Sequence, residues 1–400
     1  MKIRIFTGLF PTTRFPYGGI FVYERLKQLQ NLQIPFDVWI TENRYSKIVH
    51  VMYKIFMKRS LDTKVEEWDL ENRQHNVSFN ISSILLGLSY LYPSIYLKKM
   101  KQTMEWSMSF LDGDILHAHW VYPHGYIATC LAKEHNIPCV ITAHGSDIHT
   151  TPWNSKIIKK YTLKTLNSAD KVIFVSHALL DSAKKLGYSG ENAIVIPNGI
   201  DLSYFHPMGR EEAMKKIGWT QTKRYVVGFV GNLIPVKRAD KFVEIFSEIR
   251  KLVQDVEFIL VGDGDLKDDI RSGASDAGLT VTFAGRVPHE DVCCWMNLFD
   301  VMILPSRNEG WPCVVLEAFA CGTPVVGSQN GGIAEAIDDL CPVVIDGDLF
   351  EEEFAMAVCN ILENGYYIDS NILIGRANSY TWEKTIKSEI ELYQSCFRVK

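Results

Sequence analysis

The chain has 400 residues, of which 47% are hydrophobic and 22% are charged. This composition is typical of a globular protein and excludes a disordered, collagen-like or coiled-coil chain. The length favours at least two domains, because a single hydrophobic core stops growing at roughly 250–300 residues. The net charge of −5 provides no extended basic surface for nucleic acid, so we expect no nucleic-acid partner.

Short apolar segments alternate with helical patterns along the chain, which predicts repeated strand–helix–strand units. Predicted strands of the first half are 2–9, 36–40, 114–117, 138–142, 171–176 and 193–197. Predicted strands of the second half are 225–231, 256–262, 280–284, 300–305, 324–327 and 342–345. Several are apolar on both faces, as parallel strands covered by helices are. The predicted fold class is therefore α/β, with two Rossmann-like doubly wound parallel-sheet domains that face a central cleft.

The expected domain boundary is the segment 197–207, which has two prolines, an Asn-Gly pair and no helical period. An ordinary loop within one domain is the alternative. We predict an N-terminal domain at 1–200, a C-terminal domain at 201–380 and a last helix within 381–400. The nine cysteines are scattered without a Cys-x-x-Cys pair, which favours reduced thiols in a cytosolic protein.

Residues 45–110 break the alternation of strands and helices. The segment 45–59 is rich in lysine and aromatic residues, and the segment 79–100 is apolar and ends in Lys98-Lys99. Together they could form a surface for an anionic membrane, and a helical insertion packed on the first domain is the alternative. No segment approaches 18 apolar residues, and the N-terminus turns too early for a signal peptide. We expect a cytoplasmic protein, either free or peripheral on the cytoplasmic face of the membrane.

Ligands of open α/β sheets bind beyond the carboxyl ends of the strands, so the loops after the predicted strands are the candidate sites. The loop from Gly231 to Arg238 precedes a predicted helix. A helix start together with Lys237 and Arg238 can hold a diphosphate without a metal ion. A solvated pair of cations is the alternative.

Glu309 and Glu317 form a second candidate site. Pro312 suits a first helical turn, so we expect Glu309 in the preceding loop and Glu317 within the helix. A carboxylate can accept two sugar hydroxyls at once, and the amides near Val315 and Leu316 could face phosphate. Two carboxylates also suit glycoside hydrolysis, and a solvated pair remains a further alternative.

Histidines and glycines of the first half form the remaining candidates. His117-Ala118-His119 invites a metal interpretation, but no carboxylate or cysteine is spaced to complete it, so we expect no metal site. His144 follows a predicted strand, where it could hydrogen-bond a substrate hydroxyl or phosphate; a buried loop histidine is the alternative. Gly18-Gly19 precedes the predicted helix 20–32 and exposes bare backbone to a ligand, but no dinucleotide fingerprint is present.

The second half resembles the retaining glycosyltransferases of family 4, which have the GT-B fold. The resemblance rests on Gly-Asn-Leu-x-x-x-Lys at 231–237, Val-Gly-Asp-Gly at 261–264, Gly-Arg-Val at 285–287, Glu-x7-Glu at 309–317, Ala-x-x-Cys-Gly-Thr-Pro-Val-Val at 318–326 and Gly-Gly-Ile-x-Glu at 331–335. In the first half, Pro-Asn-Gly-Ile-Asp, His-Gly-Ser-Asp and Gly-Gly-Ile-Phe-Val are similar to the same family. Those strings are closest to members that build bacterial surface polysaccharides, such as teichuronic-acid-type enzymes.

The resemblance implies a retaining, metal-independent hexosyltransferase without a further cofactor. It would move a sugar from a UDP- or GDP-sugar to a glycan or lipid-linked acceptor in bacterial cell-surface polysaccharide synthesis. The N-terminal domain would bind the acceptor, the C-terminal domain would bind the nucleotide sugar, and the last helix would pack back on the N-terminal domain. The alternatives are a catalytically impaired sugar-binding subunit and another GT-B enzyme, such as an epimerase or a phosphorylase.

The resemblance also implies roles for individual residues. His144, Glu309 and Lys237 would be catalytic, with Lys237 on the donor diphosphate. Many family members have Arg at the position of Asn232 and Gly at the position of Arg238, so the phosphate cations are arranged differently here. The residues implied in donor binding are Gly18, Gly19, Asn232, Lys237, Arg238, Arg286, Val287, Glu309, Gly310, Val315, Leu316 and Glu317.

Overall fold

The computed structural model describes residues 1–12, 18–45, 70, 73–81, 93–111, 113–363 and 369–397. The chain divides into two compact units, Met1–Pro197 with Thr385–Lys400, and Asn198–Lys384. Each unit is built around one parallel sheet, which confirms the predicted α/β class, and every predicted strand is present.

The first unit contains a seven-stranded sheet in the order β3-β2-β1-β4-β5-β6-β7, in which all neighbours are parallel. The strands are β1 (Lys2–Thr7), β2 (Phe36–Tyr45), β3 (Gln74–Ile81), β4 (Asp114–His119), β5 (Cys139–Ala143), β6 (Lys171–Phe174) and β7 (Ala193–Val195). The helices are α1 (Ile20–Asn31), α2 (Pro93–Ser107), α3 (Tyr126–His135), α4 (Ser146–His149), α5 (Lys156–Ser168) and α6 (His177–Leu186). The strand order reverses between β1 and β4, and such a reversal opens a crevice for ligands at the carboxyl ends of the strands.

Arg4 ties the central strands together near their amino ends. The side chain is buried on β1 and forms ion pairs with Asp114 of β4 at 2.8 Å and with Asp37 of β2 at 2.7 Å. A buried guanidinium needs such partners, because an unpaired charge in the core is strongly destabilising. These ion pairs hold β1 between its two neighbours. They lie near the amino ends of β2 and β4, away from the carboxyl-end loops where ligands bind.

Strand β3 lies within residues 45–110 and was not predicted from the sequence. It runs parallel to β2 from Gln74 to Ile81. Helix α2 buries Leu97, Met100 and Met104. Residues 46–69, 71–72 and 82–92 lie outside the described residues, so most of the predicted lysine-rich segment 45–59 does too. Among the described residues, no helix is long and apolar enough to cross a membrane.

The second unit contains a six-stranded parallel sheet in the order β10-β9-β8-β11-β12-β13. The strands are β8 (Tyr225–Val230), β9 (Val256–Val261), β10 (Val281–Gly285), β11 (Val301–Leu304), β12 (Val325–Ser328) and β13 (Val343–Val344). The helices are α7 (Arg210–Ile217), α8 (Phe242–Leu252), α9 (Lys267–Asp276), α10 (His289–Met296), α11 (Cys313–Ala320), α12 (Ile333–Ile337), α13 (Phe350–Leu362) and α14 (Ser370–Asn378). Here the order reverses between β8 and β11.

The last helix, α15 (Trp382–Phe397), belongs to the first unit from Thr385 onward. Ile386 and Tyr393 are buried in the core cluster that also contains Leu26 of α1. Glu389 lies one turn before Tyr393 and forms a buried ion pair with Arg25 of α1 at 2.7 Å. The helix is therefore anchored to α1 by apolar packing and by one buried charge pair.

Candidate functional site

The strongest cluster of candidate residues lies at the strand-order reversal of the second sheet. Lys237 comes from the loop after β8, and Glu309 comes from the loop after β11, so the two loops flank the crevice. The Lys237 ammonium donates a hydrogen bond to the Glu309 carboxylate. The two side chains are partly buried, with exposures of 21% and 14%. A cation and a carboxylate thus meet where ligands of this sheet type bind.

Glycines allow the loops after β8 and β9 to lie in direct backbone contact. Gly262 has φ +132°, and a Cβ added there would lie 2.0 Å from the carbonyl oxygen of Gly231. A Cβ at Gly264 would lie 2.3 Å from the carbonyl oxygen of Leu233, whose own amide donates to Asp263 at 3.0 Å. The loops after β8 and β9 therefore support each other, and Gly262-Asp263-Gly264 of the Val-Gly-Asp-Gly string forms a tight structural loop.

Glu309 is held by its main chain, and Glu317 follows it on α11. The Glu309 carbonyl accepts a hydrogen bond of 2.9 Å from the Gly332 amide, and a Cβ at Gly331 would lie 2.2 Å from the same oxygen. Burial raises the pKa of the Glu317 carboxyl to about 7, and the nearby charge of Lys237 acts in the opposite direction. The structure therefore brings Lys237, Glu309 and Glu317 into one electrostatic group.

Arg238 lies beside this group but already has partners. Its guanidinium is 2.6 Å from the Asp346 carboxylate and lies 3.8 Å above the ring of Phe350. The side chain is buried, and its backbone has a positive φ of +56°. Its charge is thus engaged by Asp346 within the second unit.

Arg307 is a cation in the loop after β11 that was not predicted from the sequence. It donates two hydrogen bonds to Asp240, at 2.6 and 2.7 Å, and a further one to the carbonyl oxygen of Pro235. Arg307 thus joins the loop after β11 to the loop after β8 that carries Lys237. Its position shortly after a buried strand was the signal that could have found it.

The remaining donor-site candidates of the second unit follow the strands β8, β10 and β11 along the chain. Asn232 is exposed after β8, Gly310 is buried after Glu309, and Arg286 and Val287 follow the edge strand β10. Val315 and Leu316 are buried on α11, and the Val315 amide already donates to the carbonyl of Pro312 at 3.0 Å.

The first unit places Gly18, Gly19 and His144 in one region of its own sheet. Gly18-Gly19 follows β1 and precedes α1, and Gly19 has φ +74° with the carbonyl carbon of Leu9 2.6 Å from a hypothetical Cβ. The ring of Phe21, in the first turn of α1, lies against the ring of His144 with centroids 4.4 Å apart. His144 therefore contacts α1, the helix that begins directly after Gly18-Gly19.

His144 is fixed by its main chain and by a second histidine. The Asp147 carboxylate accepts hydrogen bonds from the amides of Val121, His144 and Gly145, at 3.0, 3.1 and 2.8 Å. His144 Nε2 lies 3.0 Å from His119 Nδ1. One carboxylate thus joins the loops that follow β4 and β5, and the two histidines meet between them.

The histidines of this region are neutral at physiological pH. Burial and the charge of Arg25 lower the pKa of His117 to about 3. Burial lowers the pKa values of His119 and His144 well below their usual range, with further contributions from neighbouring histidines and Arg25. His144 can therefore donate or accept a hydrogen bond but carries no positive charge. Within the described ranges, no three or more His, Cys, Asp or Glu side chains are grouped to hold a metal ion.

Two family models match the chain. The model described as Glycosyl transferases group 1 matches residues 224–364, and the one described as Glycosyltransferase Family 4 matches residues 62–204. TuaC of Bacillus subtilis, a glycosyltransferase assigned to teichuronic acid biosynthesis, is 31% identical over 341 residues, which are 84% of this chain and 82% of TuaC. The chain therefore belongs to glycosyltransferase family 4, and the predicted family is confirmed.

A second relative and a solved structure extend the comparison. A galactosyltransferase of Escherichia coli, named for UDP-Gal and α-D-GlcNAc-diphosphoundecaprenol, is 30% identical over 55% of this chain and 58% of its own length. The structure of Anabaena HepE in complex with UDP-glucose has a TM-score of 0.71 at 19% identity, covering 99% of this chain and 100% of HepE. At that identity the similarity concerns the fold, which agrees with the two-sheet α/β class.

Proposed function

We propose that this protein is a retaining, metal-independent glycosyltransferase that moves a sugar from a nucleotide-sugar donor to a glycan or lipid-linked acceptor. The observation that carries the proposal is the group of Lys237, Glu309 and Glu317 at the strand-order reversal of the second sheet. It combines a cation for a diphosphate with two carboxylates for sugar hydroxyls. Such a set suits a nucleotide sugar without a bridging metal ion.

Lys237 would stabilise the departing nucleoside diphosphate. The bond between the anomeric carbon and the phosphate oxygen breaks, its electron pair goes to the phosphate, and the sugar becomes oxocarbenium-like. The ammonium and the N-terminus of α11 would then offset the growing negative charge. When the diphosphate binds, it competes for the ammonium that Glu309 holds, so Glu309 becomes available for a hydroxyl of the donor sugar.

Glu317 would accept the ribose hydroxyls, and His144 would contact the transferred sugar. The acceptor oxygen attacks the anomeric carbon on the face that the leaving group vacates, and its proton passes to the released phosphate. No carboxylate is assigned as a nucleophile. Because burial keeps His144 neutral, its contribution is a directional hydrogen bond and not a charge.

We propose a UDP-sugar as the first donor to test and a lipid-linked or glycan acceptor of a bacterial cell-surface polysaccharide. The relatives named for teichuronic acid and for a diphosphoundecaprenol acceptor support this assignment. HepE, a structural relative, binds UDP-glucose. The alternative of a catalytically impaired sugar-binding subunit is not favoured, because Lys237, Glu309, Glu317 and His144 are all present.

The test is release of nucleoside diphosphate from a matching donor. A thermal-shift screen with UDP, GDP, ADP and their sugars identifies the base and the sugar, and turnover is then measured with a chelator in excess. We expect one donor to raise the melting temperature and to be turned over at the same rate with EDTA. Loss of turnover in EDTA would refute metal independence, and a β-linked product from an α-linked donor would refute retention.

We further propose that helix α2 presents a surface for an anionic membrane. Trp106 is 93% exposed and Ile95 is 49% exposed, and Lys98 and Lys99 are exposed on the same helix. An exposed tryptophan beside lysines suits the interface of an anionic bilayer. Co-sedimentation with phosphatidylglycerol vesicles should weaken with salt and in Trp106→Ser. Equal binding to neutral phosphatidylcholine vesicles would refute the proposal.

A further inference from the structure

A buried chain of polar side chains runs from the candidate histidine to the last helix of the protein. It begins at His144, whose Nε2 lies 3.0 Å from His119 Nδ1. The ring of His119 lies against the ring of His117, with centroids 4.4 Å apart. His117 Nδ1 lies 2.7 Å from the Tyr393 hydroxyl oxygen, and His117 Nε2 lies 2.7 Å from the Thr142 hydroxyl oxygen.

The far end of the chain assigns the proton positions on His117. The Tyr393 hydroxyl donates to Glu389 at 3.2 Å, and Glu389 also accepts a hydrogen bond from Arg25 at 2.7 Å. Because the tyrosine proton is directed to the carboxylate, the Tyr393 oxygen accepts from Nδ1–H of His117. The His117 Nε2 lone pair then accepts from Thr142. His117 is thus neutral with one defined tautomer, and its ring packs in a fixed orientation against the ring of His119.

The near end of the chain assigns the tautomer of His144. Its Nδ1 is shielded from solvent and has no hydrogen-bond partner among the described residues. A proton on Nδ1 would leave a buried N–H without an acceptor, an arrangement that folded proteins avoid more strictly than an unused acceptor. The proton therefore lies on Nε2 and is donated to the lone pair of His119 Nδ1. The Nδ1 lone pair of His144 is therefore an acceptor without a donor in the described part of the chain.

We infer that His119 is a positioning residue for His144: by accepting the Nε2–H of His144 it selects one tautomer and leaves the Nδ1 lone pair to accept a hydroxyl proton of the transferred sugar. The inference rests on the proposed role of His144 in glycosyl transfer. Phe21 contacts the face of the His144 ring and His119 contacts its edge, so both fix the orientation of the imidazole.

The first experiment reads the tautomer directly and does not depend on activity. Histidine is labelled with ¹⁵N, and the His144 imidazole signals are identified by their loss in His144→Gln. In the free wild-type protein at pH 7.5 we expect protonated Nε2 and unprotonated Nδ1. His119→Phe keeps the ring but removes the acceptor and should give a mixture of tautomers, whereas the side-chain oxygen of His119→Asn should preserve the wild-type state.

A single Nε2–H tautomer of His144 in the His119→Phe protein would overturn the inference. An Nδ1–H tautomer in the wild type would overturn it as well. Tyr393→Phe provides a second route if His119→Phe does not fold, because it removes the hydroxyl that orients His117. It should broaden or split the His119 and His144 signals, and unchanged signals in that folded variant would also count against the inference.

The second experiment separates positioning from binding. With the donor found by the thermal-shift screen, His119→Phe should lower kcat about tenfold and leave the donor KM within twofold, because the lost hydrogen bond serves the reacting sugar. His119→Asn should restore most of kcat. His135→Phe is the matched control, since His135 is exposed and its ring lies against the ring of Phe110 with centroids 4.5 Å apart. A raised KM with unchanged kcat in His119→Phe would refute the positioning role.

Failure of the proposed function gives a different pattern. If His144→Ala turned over the donor at the wild-type rate, His144 would have no role in transfer, whatever its tautomer. If His144→Ala lost activity but His119→Phe and His119→Asn had equal kcat, His144 would act without positioning by His119.

Discussion

Replacing Lys237 with methionine removes one charge from the candidate donor site and keeps the length and much of the volume of the side chain. In the ligand-free protein the Lys237 ammonium donates a hydrogen bond to Glu309. Its charge also partly offsets the burial that raises the pKa of Glu317. The variant therefore leaves the Glu309 carboxylate without its cation and removes the positive charge near Glu317. The diphosphate of the donor would also lose its charge-assisted hydrogen bond.

The expected loss follows from the partial burial of the pair. Side-chain exposures of 21% and 14% place the Lys237–Glu309 contact between a surface pair and a fully buried one. A charge-assisted bond to a transition state in such a place contributes about 2–4 kcal/mol. That range corresponds to a loss of roughly 30- to 1000-fold in kcat/KM, since about 1.4 kcal/mol changes a rate tenfold.

The assay is release of nucleoside diphosphate from the donor found by the thermal-shift screen, measured from pH 5.5 to 8.5. Lys241→Met is the matched control, because Lys241 is near the same loop and pairs with Glu244 at 2.6 Å and Glu351 at 3.7 Å with 36% exposure. A surface pair of that kind contributes about 0–1 kcal/mol, so the control should keep nearly full activity.

Two outcomes would refute the reasoning about Lys237. Wild-type kcat/KM in Lys237→Met would show that the donor diphosphate binds elsewhere. An acid limb of the pH profile that stays at about pH 7 would show that Lys237 and Glu317 are not coupled, because removal of the cation should raise the pKa of Glu317 above its wild-type value of about 7.

Three further predictions concern other residues. Because burial raises the pKa of Glu317 to about 7, wild-type kcat/KM should fall as pH drops below 7, and Glu317→Gln should remove that limb and lower the plateau about 10- to 100-fold; a pH-independent wild type would contradict this. Gly262→Ala should lower the free energy of unfolding by about 1–3 kcal/mol in urea titrations. Gly375→Ala, in helix α14 with open space around its Cβ, should be neutral or stabilising by up to about 1 kcal/mol, and equal effects of the two substitutions would refute the clash. Burial lowers the pKa of His124 to about 3, so the folded state cannot take up the proton that the unfolded state binds below about pH 6.5; wild-type stability should fall between pH 7.5 and 5.5 by about 1.4 kcal/mol more than that of His124→Gln, and parallel curves would exclude this.

The apolar pattern of the sequence predicted every strand except β3. There is a physical reason why β3 was missed. The alternating Val77, Phe79 and Ile81 of β3 are a strand signal that the prediction missed, and two asparagines, which are depleted in strands, weaken it. Its pairing with β2 and the stacking of His75 on Trp39, with ring centroids 4.8 Å apart, are long-range contacts that no local pattern reports. Edge strands of this kind depend on their neighbour more than on their own composition.

The sequence located the loops of the candidate donor site, but it did not predict the partners of the cations in those loops. Loop positions after strands identified Lys237, Glu309 and Glu317, because parallel strands bring their carboxyl ends to one edge. The same reasoning placed Arg238 with them, but the structure pairs Arg238 with Asp346 at 2.6 Å. Arg307, which joins the two loops, was not found, since its partners Asp240 and Pro235 lie about seventy positions earlier.

The sequence by itself determined two parallel α/β sheets, the family and the loops that carry the candidate residues, because those features depend on local apolar periods and short motifs. Only the tertiary structure decided which side chains meet. The register of β4 against β5 pairs His119 with Thr142 and so brings His119 to His144, two residues beyond. The last helix, far along the chain, brings Tyr393 to His117. Such contacts follow from sheet register and helix packing, which depend on the whole core and not on any one segment.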